Sequence, residues 1–478
     1  MPASGKDGKK KYAMGVVALS LLNVAAIVSL RNLPTQAEYG LSIVFYLACS
    51  SLFFFIPSAL VSAELATGWP KRGGVYLWVR EAFGPRWGFV AIFMQWVENL
   101  PWFPAVFAFA SSAIAYIIAP AWASNRYFTF AVIIAAIWIC TFANFRGMKW
   151  SAFLSNSGVV VGTIIPGVLI ILLAIIWLAL GRGSQVSFTW VALLPDLSNL
   201  TQIMLLAGML MALAGMEMSA VHVLDVKNPS RDYPVAIFLS AAIVIVLSIL
   251  GSLAISIVIP ADQLSLAAGV LQAFAQFLSA FNVAWATPII ALLLAYGAFT
   301  MAVTWMIGPS KGLLEVAREG YLPRMWQKRN HHHMPTGILL IQACLASLLA
   351  CAVLFMPTVS SAFWLMSALA AQLYLIMYLL MFAAAIRLRH TQPDVPRAYV
   401  VPGGNAGMWA VAGIGWLASL AAILAGFVPP ETVRDAGAGA ISGYMGFLIV
   451  GCSVFVALPI VFFRLSKSHP EWRATPEP

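Results

Sequence analysis

Long apolar stretches follow one another along almost the whole chain, separated by short polar segments. A transmembrane helix needs about 20 predominantly apolar residues, and about twelve stretches come near that length. They lie at residues 12–33, 41–64, 86–118, 127–145, 151–180, 200–224, 234–259, 283–314, 336–355, 361–388, 408–427 and 440–464. Between the second and third stretches, Gly74–Phe83 predicts a short amphipathic helix at the membrane interface. The pattern predicts an all-α membrane protein with about 12 transmembrane helices.

The sixth predicted span contains polar residues in its middle. It belongs to the segment MALAGMEMSAVHVLDVKNPSRDYP, residues 211–234, where Gly215, Glu217 and Ser219 interrupt the apolar run. A glutamate in the hydrocarbon region costs about 2.5–3.5 kcal/mol on insertion scales, so it normally faces a cavity or a partner. Glycine lowers helix propensity, and broken helices at membrane depth occur where their backbone lines an enclosed site. The segment is predicted to form the floor of a transport site.

The first span is interrupted in a similar way. Asn23, Ser29 and Arg31 lie in or beside its apolar helix, which Pro34 ends. Interruptions at corresponding positions of two halves are typical of transporters built from inverted repeats, with the site at the repeat interface. The sequence therefore predicts a tail at 1–11, five-helix repeats at 12–180 and 200–388, accessory helices at 408–464 and a short tail at 465–478.

The composition agrees with a membrane environment: 62% of the residues are hydrophobic, 9% are charged, and the mean hydropathy is +0.90. The net charge of +10 includes 27 Lys and Arg residues, and their distribution follows the positive-inside rule. With the N-terminus inside, the basic residues on the outer side are Arg31, Arg126, Arg182 and Arg434. Both termini are predicted to be cytoplasmic, in a multi-pass protein of the bacterial inner membrane, and nucleic acid is not an expected partner.

Enzymatic motifs are absent from the sequence, which lacks a P-loop, a GxSxG nucleophile elbow and an HExxH metal helix. The five cysteines lie in apolar stretches without a CxxC pair, which is typical of buried, reduced packing residues. The run His331–His333 is interpreted as a solvated loop, because adjacent histidines do not by themselves form a converging coordination shell. His222 is interpreted as structural. The chain is expected not to be an enzyme, and to use no cofactor and no metal.

Several motifs resemble those of the amino acid–polyamine–organocation superfamily and, within it, the bacterial glutamate/GABA antiporter family. They are GGVYLWV with GPRWGF, GMEMSAVHVLDVKNPSRDYP, WMIGPSKG followed by GYLP, and RAYVVPGG. The resemblance covers nearly the whole chain. It implies the leucine-transporter-type fold: a 5+5 inverted repeat plus two accessory helices, with alternating access around a central amino-acid site.

The resemblance also implies site residues. Trp305, Tyr374 and Tyr378 match aromatic residues that line the substrate path in the family, although aromatic residues in membrane helices also serve in packing alone. Two positions depart from the family, because Met301 stands where it has a glutamate and Arg31 where it has a tyrosine. The C-terminal tail is short, so the cytoplasmic plug of an acid-resistance member is expected to be missing.

The two interruptions are predicted to bind the head group of an amino acid. Helix N-terminal dipoles attract its carboxylate, and C-terminal carbonyls attract its ammonium group. The predicted substrate-binding residues are Asn23, Val24, Ala25, Ala26, Gly215, Met216, Glu217, Ser219, Met301, Trp305, Tyr374 and Tyr378. The alternative is two flexible kinks without a ligand.

Three intramembrane charges have two interpretations each. Glu217 could accept a coupling proton, or it could bridge loosened backbone amides and hold the break in shape. Glu98, in WVENLPW, lies about 20 Å along the third span at 1.5 Å per residue, near the expected level of Arg31. An ion pair between Arg31 and Glu98 could gate the outer vestibule or hold an acidic side chain; the alternative is a permanent structural pair.

The predicted function is secondary active amino-acid transport, by an antiporter of the glutamate/GABA type that works by alternating access. The expected substrate is an amino acid or its decarboxylated amine. Met216, Met218 and Met301 favour a neutral or mildly polar side chain, while Arg31 is compatible with an acidic one. The alternatives are proton-coupled uptake and, in another class, an amino-acid sensor that does not transport. Membrane lipid is the expected surrounding, and a homodimer is left open.

Overall fold

The computed structural model describes residues 15–70, 73–195, 209–210, 212–218, 228–356, 358–429, 433–434 and 437–473. Within these ranges the regular structure is helical, without a strand. The first half contains α1 (Val16–Ile27), α2 (Leu33–Ala37), α3 (Ile43–Ser50), α4 (Ile56–Gly68), α5 (Val75–Phe83), α6 (Pro85–Val97), α7 (Asn99–Ile118), α8 (Arg126–Asn144), α9 (Met148–Val159), α10 (Ile165–Ala179) and α11 (Trp190–Leu193). The second half contains α12 (Pro229–Val258), α13 (Gly269–Ala280), α14 (Thr287–Val316), α15 (Thr336–Ala350), α16 (Ala352–Phe355), α17 (Val359–Thr391), α18 (Gly404–Gly426) and α19 (Ala438–Leu465).

Ten stretches of the described chain are long and apolar enough to cross a membrane. They are Gly40–Gly68, Pro85–Ile118, Arg126–Asn144, Phe153–Ala179, Arg231–Val258, Ala284–Tyr321, Thr336–Phe355, Val359–Thr391, Gly404–Gly426 and Ala438–Leu465. Each overlaps one predicted span, so the all-α membrane class is confirmed. The two other predicted spans are those with polar interruptions. Helix α1 has 12 residues, and most of 200–224 lies outside the described ranges.

The centre of the bundle is the stretch Pro85–Ile118, which is the most completely buried of the ten. Helix α7 packs against α8, α14 and α17. Glu98 joins α6 to α7 and is therefore held in the middle of the bundle. In contrast, Ala438–Leu465 is largely exposed and lies at the periphery. A polar side chain on the central stretch can face only other helices or an internal cavity.

A helix is confirmed at the predicted amphipathic segment, where α5 runs between two glycines with positive φ. Its buried Tyr76 donates to Oε2 of Glu319 at 2.5 Å, and Nη1 of Arg80 contacts Oε1 of the same carboxylate at 2.5 Å. Burial and the bond to Glu319 raise the pKa of the Tyr76 phenol, so it remains the donor. These contacts attach α5 to the chain just beyond α14.

A buried ion-pair cluster attaches the connection between α17 and α18 to helix α4. Oε2 of Glu64 accepts from Nη2 of Arg389 at 2.9 Å and from the backbone N–H of Val401 at 2.7 Å. Oε1 of Glu64 lies 3.4 Å from Nε of Arg397, whose guanidinium lies over the ring of Trp69. A buried carboxylate is stable only when it is paired and hydrogen-bonded in this way.

Helix α14 approaches the π-helical turn Val160–Ile164 through two glycines. A Cβ at Gly297 would lie 2.6 Å from the carbonyl oxygen of Gly162, and a Cβ at Gly162 would lie 2.2 Å from Cα of Gly297. Small residues allow helix backbones in membranes to come into direct contact. This contact fixes the position of α14, which carries Met301 and Trp305.

Candidate functional site

The first span is broken after α1. The helix ends at Ile27, and Val28 and Ser29 are extended, with ψ of 116° and 120°. The break therefore reaches Ser29, one of the predicted polar interruptions, while Asn23–Ala26 before it are helical. Asn23 does not disrupt the helix, because its side-chain amide donates to Oγ of Ser240 on α12 at 3.1 Å. The break thus falls at the C-terminal end of the predicted interruption, while Oδ1 of Asn23 has no hydrogen-bond partner within the described residues.

The second break lies where it was predicted. Ala214 and Gly215 are non-helical, and a short 3₁₀ turn follows at residues 216–218. The φ of Gly215 is +123°, a conformation that glycine adopts readily and that is strained for any residue with a Cβ. Two other predicted polar residues of this segment, Ser219 and His222, lie outside the described residues.

The carboxylate of Glu217 links the second break to helices α6 and α17 by hydrogen bonds. Its Oε1 accepts from the hydroxyl of Tyr374 and from Nε2 of Gln95 at 3.1 Å, and its Oε2 accepts from the hydroxyl of Tyr378. The same Tyr378 hydroxyl accepts from the backbone N–H of Gly215 at 2.9 Å. The carboxylate thus bonds three side chains, and the Gly215 amide is reached through Tyr378; both roles proposed for Glu217, bridging backbone amides and accepting a proton, stay predictions.

A cavity lies between the two breaks. It is lined by Ile27, Ser29, Arg31, Asn32, Glu98, Trp102, Ala214, Met301, Trp305 and Tyr374. The space open to the centre of a water molecule is about 20 Å³, which holds one or two waters. An amino acid is larger, so its entry requires the surrounding helices to separate.

Aromatic side chains form one continuous wall of the cavity. The ring of Trp102 lies 5.8 Å from that of Trp305, which lies 6.1 Å from that of Tyr374 in an edge-on arrangement. Tyr374 in turn lies 5.1 Å from Tyr378, behind the cavity. Tyr374 lines the cavity and also donates to Glu217. It therefore links the aromatic wall to the second break by a direct hydrogen bond.

Arg31 and Glu98 are the charged residues of the lining, and their exposed fractions are 5% and 1%. They do not form the predicted ion pair, since the ion pairs within the described part of the chain join other residues. Nη1 of Arg31 instead donates to Oγ of Ser367 at 3.3 Å, and the guanidinium lies 5.6 Å from the Trp102 ring and 5.3 Å from the Phe363 ring. These contacts hold it away from Glu98.

A second cavity adjoins the first, with about 30 Å³ open to water centres. It is lined by Arg31, Asn32, Thr35, Gln36, Trp102, Met209, Ala212, Phe363, Trp364 and Ser367. Arg31, Asn32 and Trp102 line both cavities. These three side chains therefore form the partition between the two spaces.

The structure brings together nine of the fourteen predicted site residues. Those that line the first cavity are Arg31, Glu98, Met301, Trp305 and Tyr374. Those that surround the second break behind it are Gly215, Met216, Glu217 and Tyr378. Asn23 and Val24 are buried in α1 outside the lining, and Ala25 and Ala26 are helical. Substrate contact by any of these residues stays a prediction.

Trp102, Ser367 and Gln95 belong to the candidate site or its support and were not predicted. Trp102 follows Glu98 by four residues, and Ser367 precedes Tyr374 by seven, so each lies one or two helical turns from a predicted residue on the same face. That spacing is a signal available from the sequence. Gln95 bonds Glu217 across the bundle, and nothing in its surroundings in the sequence indicates such a contact.

Among the described residues, His, Cys, Asp and Glu side chains do not form a group of three or more that could hold a metal ion. The five cysteines are free thiols. The rings of His331 and His332 lie 4.0 Å apart in a turn before α15. The cavity between the breaks is therefore the candidate site.

Comparisons with known proteins cover almost the entire chain. A family model described as amino acid permease matches residues 14–461. An uncharacterised transporter of Legionella pneumophila is 42% identical over 96% of this chain and 98% of its own length. The glutamate/gamma-aminobutyrate antiporter of Lactococcus lactis subsp. lactis is 32% identical over 96% of this chain and 91% of its own. A probable agmatine/putrescine antiporter of the same organism is 23% identical, with 84% of each chain covered.

Proposed function

Because the chain belongs to the amino acid permease family and is an amino-acid transporter, we propose that it exchanges an amino acid for the amine left by its decarboxylation. The names of two relatives support exchange, since one is a glutamate/gamma-aminobutyrate antiporter and the other a probable agmatine/putrescine antiporter. The observation that carries the proposal is the cavity bounded by both helix breaks and by two buried charges.

The transport cycle is alternating access around that cavity. The repeats are residues 12–180 and 200–388, with accessory helices at 408–464, and each repeat begins with a broken span. The head group of the substrate binds at the two breaks, next to Val28–Ser29 and Ala214. Trp305 and Tyr374 cover it in the closed state. The small volume of the cavity supports such a state, because the helices must separate before an amino acid can enter.

The protein lies in the bacterial plasma membrane with both termini in the cytoplasm. The distribution of Lys and Arg supports this orientation through the positive-inside rule, and the bacterial relatives support the location. Helix α5 and the Glu64 cluster are then on the cytoplasmic side. The second cavity, on the other side of Arg31, is part of the path to the exterior.

Counterflow in proteoliposomes tests this function. Purified protein is reconstituted with an unlabelled amino acid or amine inside, and the uptake of labelled amino acid from outside is followed. An antiporter accumulates label only when a substrate is present inside, and dissipating the proton gradient leaves the rate unchanged. Uptake into empty vesicles that collapses with the proton gradient would show proton-coupled uptake instead. Binding without flux under any loading would show a sensor.

A further inference from the structure

Arg31 is a buried cation whose charge is not paired within the described part of the chain. Its exposed fraction is 5%, its Nε has no hydrogen-bond partner there, and its one side-chain hydrogen bond is the 3.3 Å contact with Ser367. A hydroxyl neutralises no charge. Buried charges are normally paired, because an uncompensated ion in a low-dielectric interior is costly.

Glu98 faces Arg31 within the same cavity and is also unsatisfied. Within the described residues its Oε2 has no hydrogen-bond partner, and no ion pair joins it to Arg31. Opposite charges held apart across a cavity can each accept a group of opposite sign from a ligand. An amino acid carries both such groups, a carboxylate and an ammonium.

The surroundings of Arg31 present its guanidinium to a ligand in a fixed orientation. The rings of Trp102 and Phe363 flank the guanidinium, and Ser367 bonds one of its nitrogens. A guanidinium is a planar fork of donors that matches the two oxygens of a carboxylate. Orientation by stacking leaves that fork preformed, which lowers the entropic cost of binding.

We propose that Arg31 is the residue that binds a carboxylate of the substrate and so determines specificity in this transporter. The inference rests on the proposed function, because it assigns a substrate group to the same cavity. Arg31 lines both cavities, so a substrate arriving through the second cavity meets the guanidinium before it reaches the helix breaks. The carboxylate is either that of the head group or one at the far end of the side chain.

The test measures the binding of the protein amino acids, GABA, agmatine and putrescine to purified protein by ligand-induced thermal stabilisation. For the compounds whose carboxylate contacts Arg31, glutamate among them, Arg31→Met is expected to raise Kd at least about tenfold, as the loss of a charge-assisted hydrogen bond predicts. Amines without a carboxylate should lose less than twofold. Arg126→Met is the matched control, since Arg126 is exposed and outside both cavities.

Glutamate, GABA and glutamine show which carboxylate Arg31 binds. Glutamate has both a head-group and a distal carboxylate, glutamine has only the first, and GABA has only the second. If Arg31 binds the distal carboxylate, Arg31→Met weakens glutamate and GABA but not glutamine; if it binds that of the head group, it weakens glutamate and glutamine but not GABA. Should Arg31→Met fail to fold, Arg31→Lys keeps the charge without the fork, and carboxylate binding is expected to weaken about threefold to tenfold. Binding of every carboxylate compound within twofold of wild type, in the folded variant, overturns the role of Arg31. A wild-type protein that binds and exchanges none of the compounds overturns the proposed function itself.

Discussion

The hydrogen bonds of Glu217 with Tyr374 and Tyr378 allow a quantitative prediction, because the two tyrosine hydroxyls have different numbers of partners. Among the described residues, the hydroxyl of Tyr374 donates to the carboxylate of Glu217 only. The hydroxyl of Tyr378 bonds the carboxylate and also accepts from the N–H of Gly215 at 2.9 Å. Replacing each by phenylalanine removes one oxygen and leaves the ring packing in place. The difference in stability between the two variants therefore measures the contribution of the hydrogen bond from Gly215 N–H to Tyr378.

Tyr374→Phe removes one hydrogen bond to a charged group, which is worth about 1.5–3 kcal/mol. Tyr378→Phe removes a bond of the same kind and also leaves the buried N–H of Gly215 without its acceptor, which costs about 1–3 kcal/mol more. We therefore expect Tyr378→Phe to be the less stable variant by about 1–3 kcal/mol. In a chain of 478 residues, 1 kcal/mol corresponds to less than about 2 °C in Tm.

The assay is thermal unfolding of both variants and the wild type in one detergent, without ligand, at one protein concentration. Both variants should melt below the wild type, and Tyr378→Phe should melt below Tyr374→Phe. Equal melting temperatures, or a lower one for Tyr374→Phe, would show that the Tyr378 hydroxyl does not hold the break at Gly215.

Two further changes test the packing that positions the site. Glu64→Gln leaves Arg389 without its counter-charge and should destabilise the protein by about 3–5 kcal/mol, measured as a fall in Tm; an unchanged Tm would contradict the importance of the pair. Gly297→Ala places a Cβ 2.6 Å from the carbonyl oxygen of Gly162 and should prevent a monodisperse preparation. Gly413→Ala meets nothing within 4 Å and is its matched control; normal behaviour of both would refute the close helix contact.

The sequence predicts the spans well because each one satisfies a local requirement. An apolar run of sufficient length forms a helix in lipid whatever its partners are, since every backbone group must be satisfied internally. Ten predicted spans therefore overlap membrane-length helices. The break at Gly215 was also predictable, because glycine and a glutamate in one apolar run mark it locally.

The exact residue at which the first span breaks was not predicted, because it depends on tertiary contacts. Asn23 appears as an interruption in the sequence, yet its amide donates to Oγ of Ser240 on α12 and its backbone stays helical. The separation of Arg31 from Glu98 has the same origin, because Ser367, Trp102 and Phe363 hold the guanidinium in place. Contacts between residues hundreds of positions apart leave no periodic pattern in one sequence.

The most direct test of the site is counterflow with Trp305→Ala. Trp305 joins Trp102 to Tyr374 in the wall of the cavity, and its exposed fraction is 5%. Trp190→Ala is the control, because Trp190 is 87% exposed and lies outside both cavities. Trp305→Ala should insert normally and lose exchange by tenfold or more, while Trp190→Ala keeps the wild-type rate. Exchange by Trp305→Ala at the wild-type rate would place the substrate outside this cavity.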